Sequence, residues 1–267
     1  MSRKTRIPIK SPREIDFMRA AGSIAASILQ ALAKAVAPGR TTREIDLLAA
    51  ALMAEHACKS AFLGYRGFPG YTCISINEEV VHGIGGPRII QPGDIVKIDV
   101  GIVKSGFIGD NATTVAAGDI TPHTQRLLAA TEQSLYQAIQ HARPGAKLAD
   151  VCGAVEDFVT PLGFTVVREF VGHGVGRRLH EEPQVPNYRP SGKSPTLLPG
   201  MTLAIEPMVN AGVPSVRILG DGWTVITEDR KPSAHFEHTV LITSGDPEIL
   251  TPRPRVATPE LLGLPPW

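Results

Sequence analysis

The stretch GDIVKIDVGIVKSGFIGD, residues 93 to 110, is an apolar β-hairpin that carries two carboxylates inside its strands. Ile95, Lys97 and Asp99 alternate with Val96, Ile98 and Val100, the period-two pattern of a strand with one face buried. A two-residue turn at Lys104-Ser105 would return the chain through Phe107 and Ile108 and set Asp99 directly opposite Asp110. Cross-strand side chains so placed stand about 5 Å apart, where like charges repel. A fold that accepts this sequence must solvate both carboxylates through another register, or place a cation between them.

Three further groups repeat the problem. VGHGVGRRLHEEP sets His173 between glycines, with His180 seven positions on; LAIEPMV ends a strand on Glu206, before a proline that cannot continue a central strand; AHFEHTVLIT holds Glu237 in a β-rich run. An ionised carboxylate in an apolar strand is very costly unless paired or metal-bound. Arg177, Arg178 and Arg217 are too few and too badly placed to pair with four. Four carboxylates with one imidazole instead suit two divalent ions about 3.5–4 Å apart. The oxygen-rich set favours Mn, Fe(II) or Co over Zn, although ligand type alone discriminates poorly. A hydrogen-bonded strand carboxylate explains any one of these residues taken singly, but not all five together.

The remaining histidines carry less weight. His82 sits at the end of an apolar strand before a glycine turn, a common place for catalytic groups, and His180 is placed similarly. His56, His123 and His141 read as surface. His235 shares the face of Glu237 and is expected beside a ligand rather than as one. GHGVG lacks the third glycine and the following acidic residue of a dinucleotide loop and is set aside.

The chain also repeats itself. Pro38-Gly39 and Pro144-Gly145, each opening a helical segment, lie 106 positions apart; QPGDIVKIDVG from Gln91 and LPGMTLAIEPM from Leu198 align at 107, pairing Asp99 with Glu206. An internal duplication, about 37–116 and 143–244, would bring those two carboxylates together about a pseudo-twofold axis. The element pattern is helix 12–36, helix 41–57, hairpin strands near 73–82 and 94–116, helices 122–142 and 146–161, then strands to about 244. This is an α+β arrangement with mostly antiparallel strands in one domain, residues 1–250. Residues 251–267 hold five prolines and read as an extended tail outside the core.

Bulk properties exclude several classes. A formal net charge of +1 over 267 residues gives no general attraction to nucleic acid or anionic membrane. No apolar run is long enough to span a bilayer. The basic start (Arg3, Lys4, Arg6, Lys10, Arg13) could touch RNA or a ribosome, but a solvated terminus is expected. It is not expected to be a signal peptide, because Glu14, Asp16 and Arg19 separate the basic residues from the apolar run that follows and Ser11-Pro12-Arg13-Glu14 reads as a capping box. Three cysteines (Cys58, Cys73, Cys152) with no close pair suit a reducing cytoplasm and exclude a thiolate zinc site.

Taken together, Asp99, Asp110, His173, Glu206 and Glu237, with HGVGRRLHEEP and FEHT around them, resemble the metallopeptidases of the pita-bread fold over residues 8 to 248. LGYRGFPGYTCISINEEVVHGIG and GDGWTVIT narrow the resemblance to the type I methionine aminopeptidases. It implies two pseudo-symmetric halves, a mostly antiparallel curved sheet covered by helices, and a dinuclear aminopeptidase that removes N-terminal methionine from nascent chains and peptides, preferring a small second residue. It implies that Asp110 and Glu237 bridge two divalent ions, with Asp99 completing one shell and His173 and Glu206 the other. A hydroxide bridging the ions would attack the carbonyl after methionine, with Glu206 as its proton shuttle. His180 would hold the scissile carbonyl oxygen and His82 the leaving nitrogen. Tyr65, Phe68, Cys73, Leu179 and Trp223 would line the methionine pocket. A cytoplasmic monomer with a possible ribosome contact is expected. Leu179 stands where the family more often has Phe, and HGIGG replaces the usual HGIP. His173 and Glu206 are only 33 positions apart, which leaves no room for the helical insert of the type II enzymes, and no N-terminal zinc-binding extension is expected. Two other readings compete: a proline-directed peptidase of the same fold, which would carry an added N-terminal domain, and a non-catalytic pita-bread binding protein, which would have lost metal ligands.

Overall fold

The structure is a computed structural model that describes residues 7–256 and 259–263. Its first helix, α1 (Pro12–Ala35), opens on the Ser11/Glu14 capping box, and its second, α2 (Thr42–Glu55), on a Thr41/Glu44 box. Each box satisfies backbone N–H groups that a helix start leaves without partners. The apolar faces of both helices lie on a four-stranded antiparallel sheet whose long strands are Asp94–Lys104 and Phe107–Ala117. Ala25, Ile28, Leu29 and Leu32 pack there against Ile74, Val96, Ile98 and Val100. Two more helices, α3 (Pro122–His141) and α4 (Leu148–Val159), cover a five-stranded antiparallel sheet, burying Leu135, Val151 and Val155 against Leu203, Ile205, Val240 and Ile242. This is the expected α+β architecture, a helix pair over a sheet on each side.

Equivalent hydrogen bonds recur in the two parts. Gly39 N–H donates to the Ile90 carbonyl and Gly145 N–H to the Leu197 carbonyl, both at 2.9 Å. Thr41 bridges Ile89, and Lys147 bridges Thr196. The parts are tied where the Phe107–Ala117 strand meets residues 235–239. Glu237 N–H donates to the Ala112 carbonyl at 2.9 Å, and the Thr239 and Thr114 hydroxyls donate to the carbonyls of Asp110 and His235 at 2.8 and 2.7 Å.

Three expectations are corrected. The hairpin turns at Ser105-Gly106, one residue later than expected, because both residues adopt positive φ (52° and 76°), as the twist-matched two-residue turn requires. Asp99 therefore pairs with Ala112, and Asp110 with Gly101. The two carboxylates keep a shared face but stand diagonally. Gly109 beside them lets α1 rest on the strand: a Cβ there would lie 2.4 Å from the Ala21 carbonyl oxygen.

Second, residues 251–256 are anchored to the domain at Thr251 and Arg253 rather than forming a free tail. Thr251 is fully buried; its hydroxyl lies 3.0 Å from His238 Nδ1 and accepts Thr239 N–H at 3.1 Å. Arg253 forms a buried ion pair with Glu132 at 2.7 Å. The rest of the Pro-rich stretch includes residues 257, 258 and 264–267, which lie outside the described residues. Third, Lys10 is not part of a solvated terminus; it is buried against Glu181 at 2.7 Å. Arg3, Lys4 and Arg6 lie outside the described residues. Among the described residues no helix is long and apolar enough to cross a membrane.

Candidate metal centre and peptide pocket

All five residues singled out for their cost in apolar strands converge where the two sheets meet. Asp99 and Asp110 come from the long hairpin, His173 from the Gly172–Gly174 strand, and Glu206 follows the Thr202–Ile205 strand. Glu237 occupies the break between the Ser233–His235 and His238–Leu241 strands. One carboxylate oxygen each from Asp99, Asp110 and Glu237 lies within 4.8 Å of the other two. His173 Nε2 lies 3.5 Å from Glu206 Oε1 and 3.9 Å from Asp110 Oδ2.

These separations exceed hydrogen-bond length, and the protonation pattern makes them unfavourable in the bare chain. His173 Nδ1 lies 2.9 Å from the Gly174 carbonyl oxygen, which can only accept, so Nδ1 carries the proton. Burial drives this imidazole down to about 3, so it is neutral and its Nε2 lone pair faces carboxylate oxygens. Burial also pushes Asp110 up to about 7, and burial with mutual repulsion raises Asp99, Glu206 and Glu237 well above the usual carboxylate range. Asp99 Oδ1, Asp110 Oδ1 and Glu237 Oε1 are buried without a hydrogen-bond partner. Lone pairs from five buried or half-buried side chains thus converge with no lysine or arginine among them, the arrangement a cation relieves. The residues present fit a divalent metal centre.

The acid-base balance gives a test. In the chelated chain, Asp110 keeps a proton up to about 7, while an unfolded carboxyl loses it near its ordinary value of about 3.9. Between those limits the folded state binds more protons, so carboxylate burial costs stability as pH rises. Half-buried His82 and buried His235, lowered to about 4 and about 3, act in the opposite sense, and neither is among the five cluster residues, so both drop out of the difference that metal makes. The rise in melting temperature on adding divalent metal should therefore be larger at about pH 7.5 than at about pH 5.5 by scanning calorimetry. An equal rise at both would remove these carboxylates from the metal centre.

A cavity of about 310 Å³ opens above the five residues, and every expected pocket residue lines it: Tyr65, Phe68, Cys73, His82, Leu179, His180 and Trp223. That volume is at the small end of the usual range for ligand sites. Phe68 and Trp223 meet edge to face at 5.1 Å. Cys73 pairs with Asp99 across the sheet, and burial raises its thiol well above the ordinary value. His82 adopts φ +60°, strained for a residue other than glycine, and its ring stands 5.5 Å from Phe170. Its pKa is lowered to about 4 by burial and by nearby His180. The Tyr65 hydroxyl lies 2.7 Å from His180 Nδ1.

Sequence reasoning missed Phe62, Phe170 and Met208 on the cavity wall, whose residue types match ordinary core, and Arg66 and Glu169, exposed residues that also line the cavity. It also missed Lys97, buried behind Asp99, whose ammonium donates to the carbonyls of Asn77 (2.7 Å) and Ser233 (3.0 Å) and joins the two parts. His235 stands beside the cluster as expected, with Nε2 3.7 Å from Glu206 Oε2.

Comparison with known proteins agrees with this geometry. Metallopeptidase family M24 matches residues 16–244. Methionine aminopeptidase 1 of Bacillus subtilis is 48% identical over 242 residues, 91% of this chain and 98% of that protein. The crystal structure of methionine aminopeptidase from Thermotoga maritima superposes with a TM-score of 0.91 at 44% identity, covering 93% of this chain and 100% of that one. The prolidase of Pyrococcus horikoshii shares the fold alone: TM-score 0.74, 24% identity, and 93% of this chain on 64% of that one. Matched along nearly its whole length by sequence and by fold, the chain belongs to metallopeptidase family M24 and, within it, to the methionine aminopeptidases.

Proposed function

We propose that this chain removes N-terminal methionine from peptides and nascent proteins, with a pair of divalent ions held by Asp99, Asp110, His173, Glu206 and Glu237. The observation that carries the reading is the convergence of four carboxylates and one imidazole beneath a cavity walled by aromatic and apolar side chains. Mn, Fe(II) or Co suits this oxygen-rich set better than Zn. The chemistry such ions supply when bound is polarisation of the scissile carbonyl and acidification of water.

The chain's own residues do the rest. Phe68, Trp223, Leu179 and Tyr65 enclose the methionine side chain and exclude water, and Cys73 adds a polarizable contact for its thioether. Glu206, raised by burial, lies at the His173 side of the cluster and moves the proton between water and the leaving amine. His180, at the cavity wall, donates to the scissile carbonyl oxygen as charge develops there. His82, held neutral by burial, contacts the nitrogen that becomes the new N-terminus. The internal duplication, about 37–116 and 143–244, is supported by the equivalent Gly39–Ile90 and Gly145–Leu197 hydrogen bonds and gives Asp99 and Glu206 equivalent places.

The test is cleavage by chelator-stripped protein reloaded separately with Mn, Fe(II), Co and Zn, offered Met-Ala-Ser, Leu-Ala-Ser and Gly-Pro. Methionine release from the first alone, only with metal, is expected. Gly-Pro cleavage would make it a proline-directed peptidase, and silence with every metal would overturn the enzymatic reading.

A further inference from the structure

Tyr65 touches the ring of His180, the residue proposed to hold the scissile carbonyl oxygen. It stands in a tight turn, Tyr65–Gly67, held by Gly64 N–H to the Phe68 carbonyl at 2.8 Å and Tyr65 N–H to the Phe62 carbonyl at 2.8 Å. His180 comes from the other part of the chain, directly before the Glu181–Val185 strand. The phenol oxygen and His180 Nδ1 meet at 2.7 Å, and the ring centroids are 5.3 Å apart. The His180 ring centroid also lies 4.3 Å from that of the His173 ring.

A hydroxyl can donate or accept, and a neutral imidazole offers one nitrogen for each role. The phenol is the stronger acid of the two and the imidazole nitrogen the stronger base, so the proton belongs on oxygen and Nδ1 accepts. Burial and the Arg66 guanidinium, which lies 5.4 Å over the Tyr65 ring, both oppose a positive charge on His180. With Nδ1 accepting, the ring's only N–H is on Nε2, the nitrogen left for the cavity.

We infer that Tyr65 is a positioning residue for catalysis: its hydroxyl holds His180 as the Nε2–H tautomer, with that N–H available to the scissile carbonyl oxygen. The inference rests on the carbonyl-binding role proposed for His180 and gives Tyr65 a second task beyond enclosing methionine. The arrangement follows the general rule that a partner on one imidazole nitrogen decides what the other can do.

The state of the ring can be read without turnover. In metal-free protein with ¹⁵N-labelled histidine, at about pH 8, where an exposed imidazole is neutral, the His180 signals, assigned by their loss in His180→Ala, should show bare Nδ1 and protonated Nε2. The opposite tautomer would overturn the inference. Tyr65→Phe keeps the aromatic wall and removes only the hydroxyl, so kcat for Met-Ala-Ser should fall about tenfold while KM changes less than about twofold. Unchanged kcat, or a change confined to KM, would reduce Tyr65 to pocket wall and leave the proposed function intact. Failure of the underlying reading looks different: His180→Ala would then retain full kcat.

Discussion

Asp110→Ala should abolish methionine release, lowering kcat/KM by about a thousandfold or more, while the metal-free variant melts above the metal-free parent. Asp110 is the carboxylate common to both groups of contacts: it clusters with Asp99 and Glu237 and lies 3.9 Å from His173 Nε2. Its removal takes an oxygen from both sets, and a dinuclear site contributes several kcal/mol of transition-state stabilisation, each 1.36 kcal/mol being about a factor of ten. The stability gain has a separate cause. In the metal-free chain, Asp110 is a buried carboxyl whose charged form is disfavoured by burial and repels that of Asp99. Alanine relieves both costs, as expected where function is held at the expense of stability. Calorimetry with and without chelator checks it. The variant should show a raised baseline melting temperature and little further rise with metal. Metal-dependent turnover with a full complement of metal would sink the bridging role of Asp110.

The five cluster residues were legible in the sequence because ionisable groups in apolar strands are expensive, and only convergence relieves the cost. Other features failed for definable reasons. The hairpin register depended on which adjacent residue pair takes positive φ, and Lys104-Ser105 and Ser105-Gly106 differ by one step. That step moves Asp110 from opposite Asp99 to opposite Gly101 without changing its face, so the site survived the error. Lys97 lay on the right face by alternation. Its partners, however, are backbone carbonyls at Asn77 and Ser233, positions no side-chain pattern marks. Phe62 and Met208 escaped because an apolar cavity wall and an apolar core use the same residue types. Tyr65 was found as pocket wall through family resemblance, but its bond to His180 spans 115 positions and has no sequence signature.

The Pro-rich stretch after residue 250 was misread for the same reason, and its consequence is measurable: Arg253→Ala should destabilise the protein by about 3–5 kcal/mol in chemical denaturation, the usual effect of leaving one member of a buried ion pair behind. Proline content argued for an exposed tail, yet the Arg253 and Glu132 side chains are 2% and 0% exposed at the ion pair. The guanidinium also lies 5.4 Å over the Phe236 ring and 3.5 Å from the Ala112 carbonyl, the same carbonyl that receives Glu237 N–H. Glu132 additionally accepts Val256 N–H at 2.8 Å, so the variant keeps part of its hydrogen bonding but loses the Arg253 charge. Because Phe236 and Ala112 adjoin Glu237, the same substitution should weaken metal binding by a few-fold in titration calorimetry. The double variant Arg253→Met with Glu132→Met separates pairing from packing. Replacing both charges with apolar groups of similar length should recover most of the lost stability, since a buried pair gains little over a well-packed apolar substitute. If Arg253→Ala costs less than about 1 kcal/mol, the range of an exposed pair, residues 251–256 do not hold the segment that carries Glu237, and the expectation of a free tail regains its force.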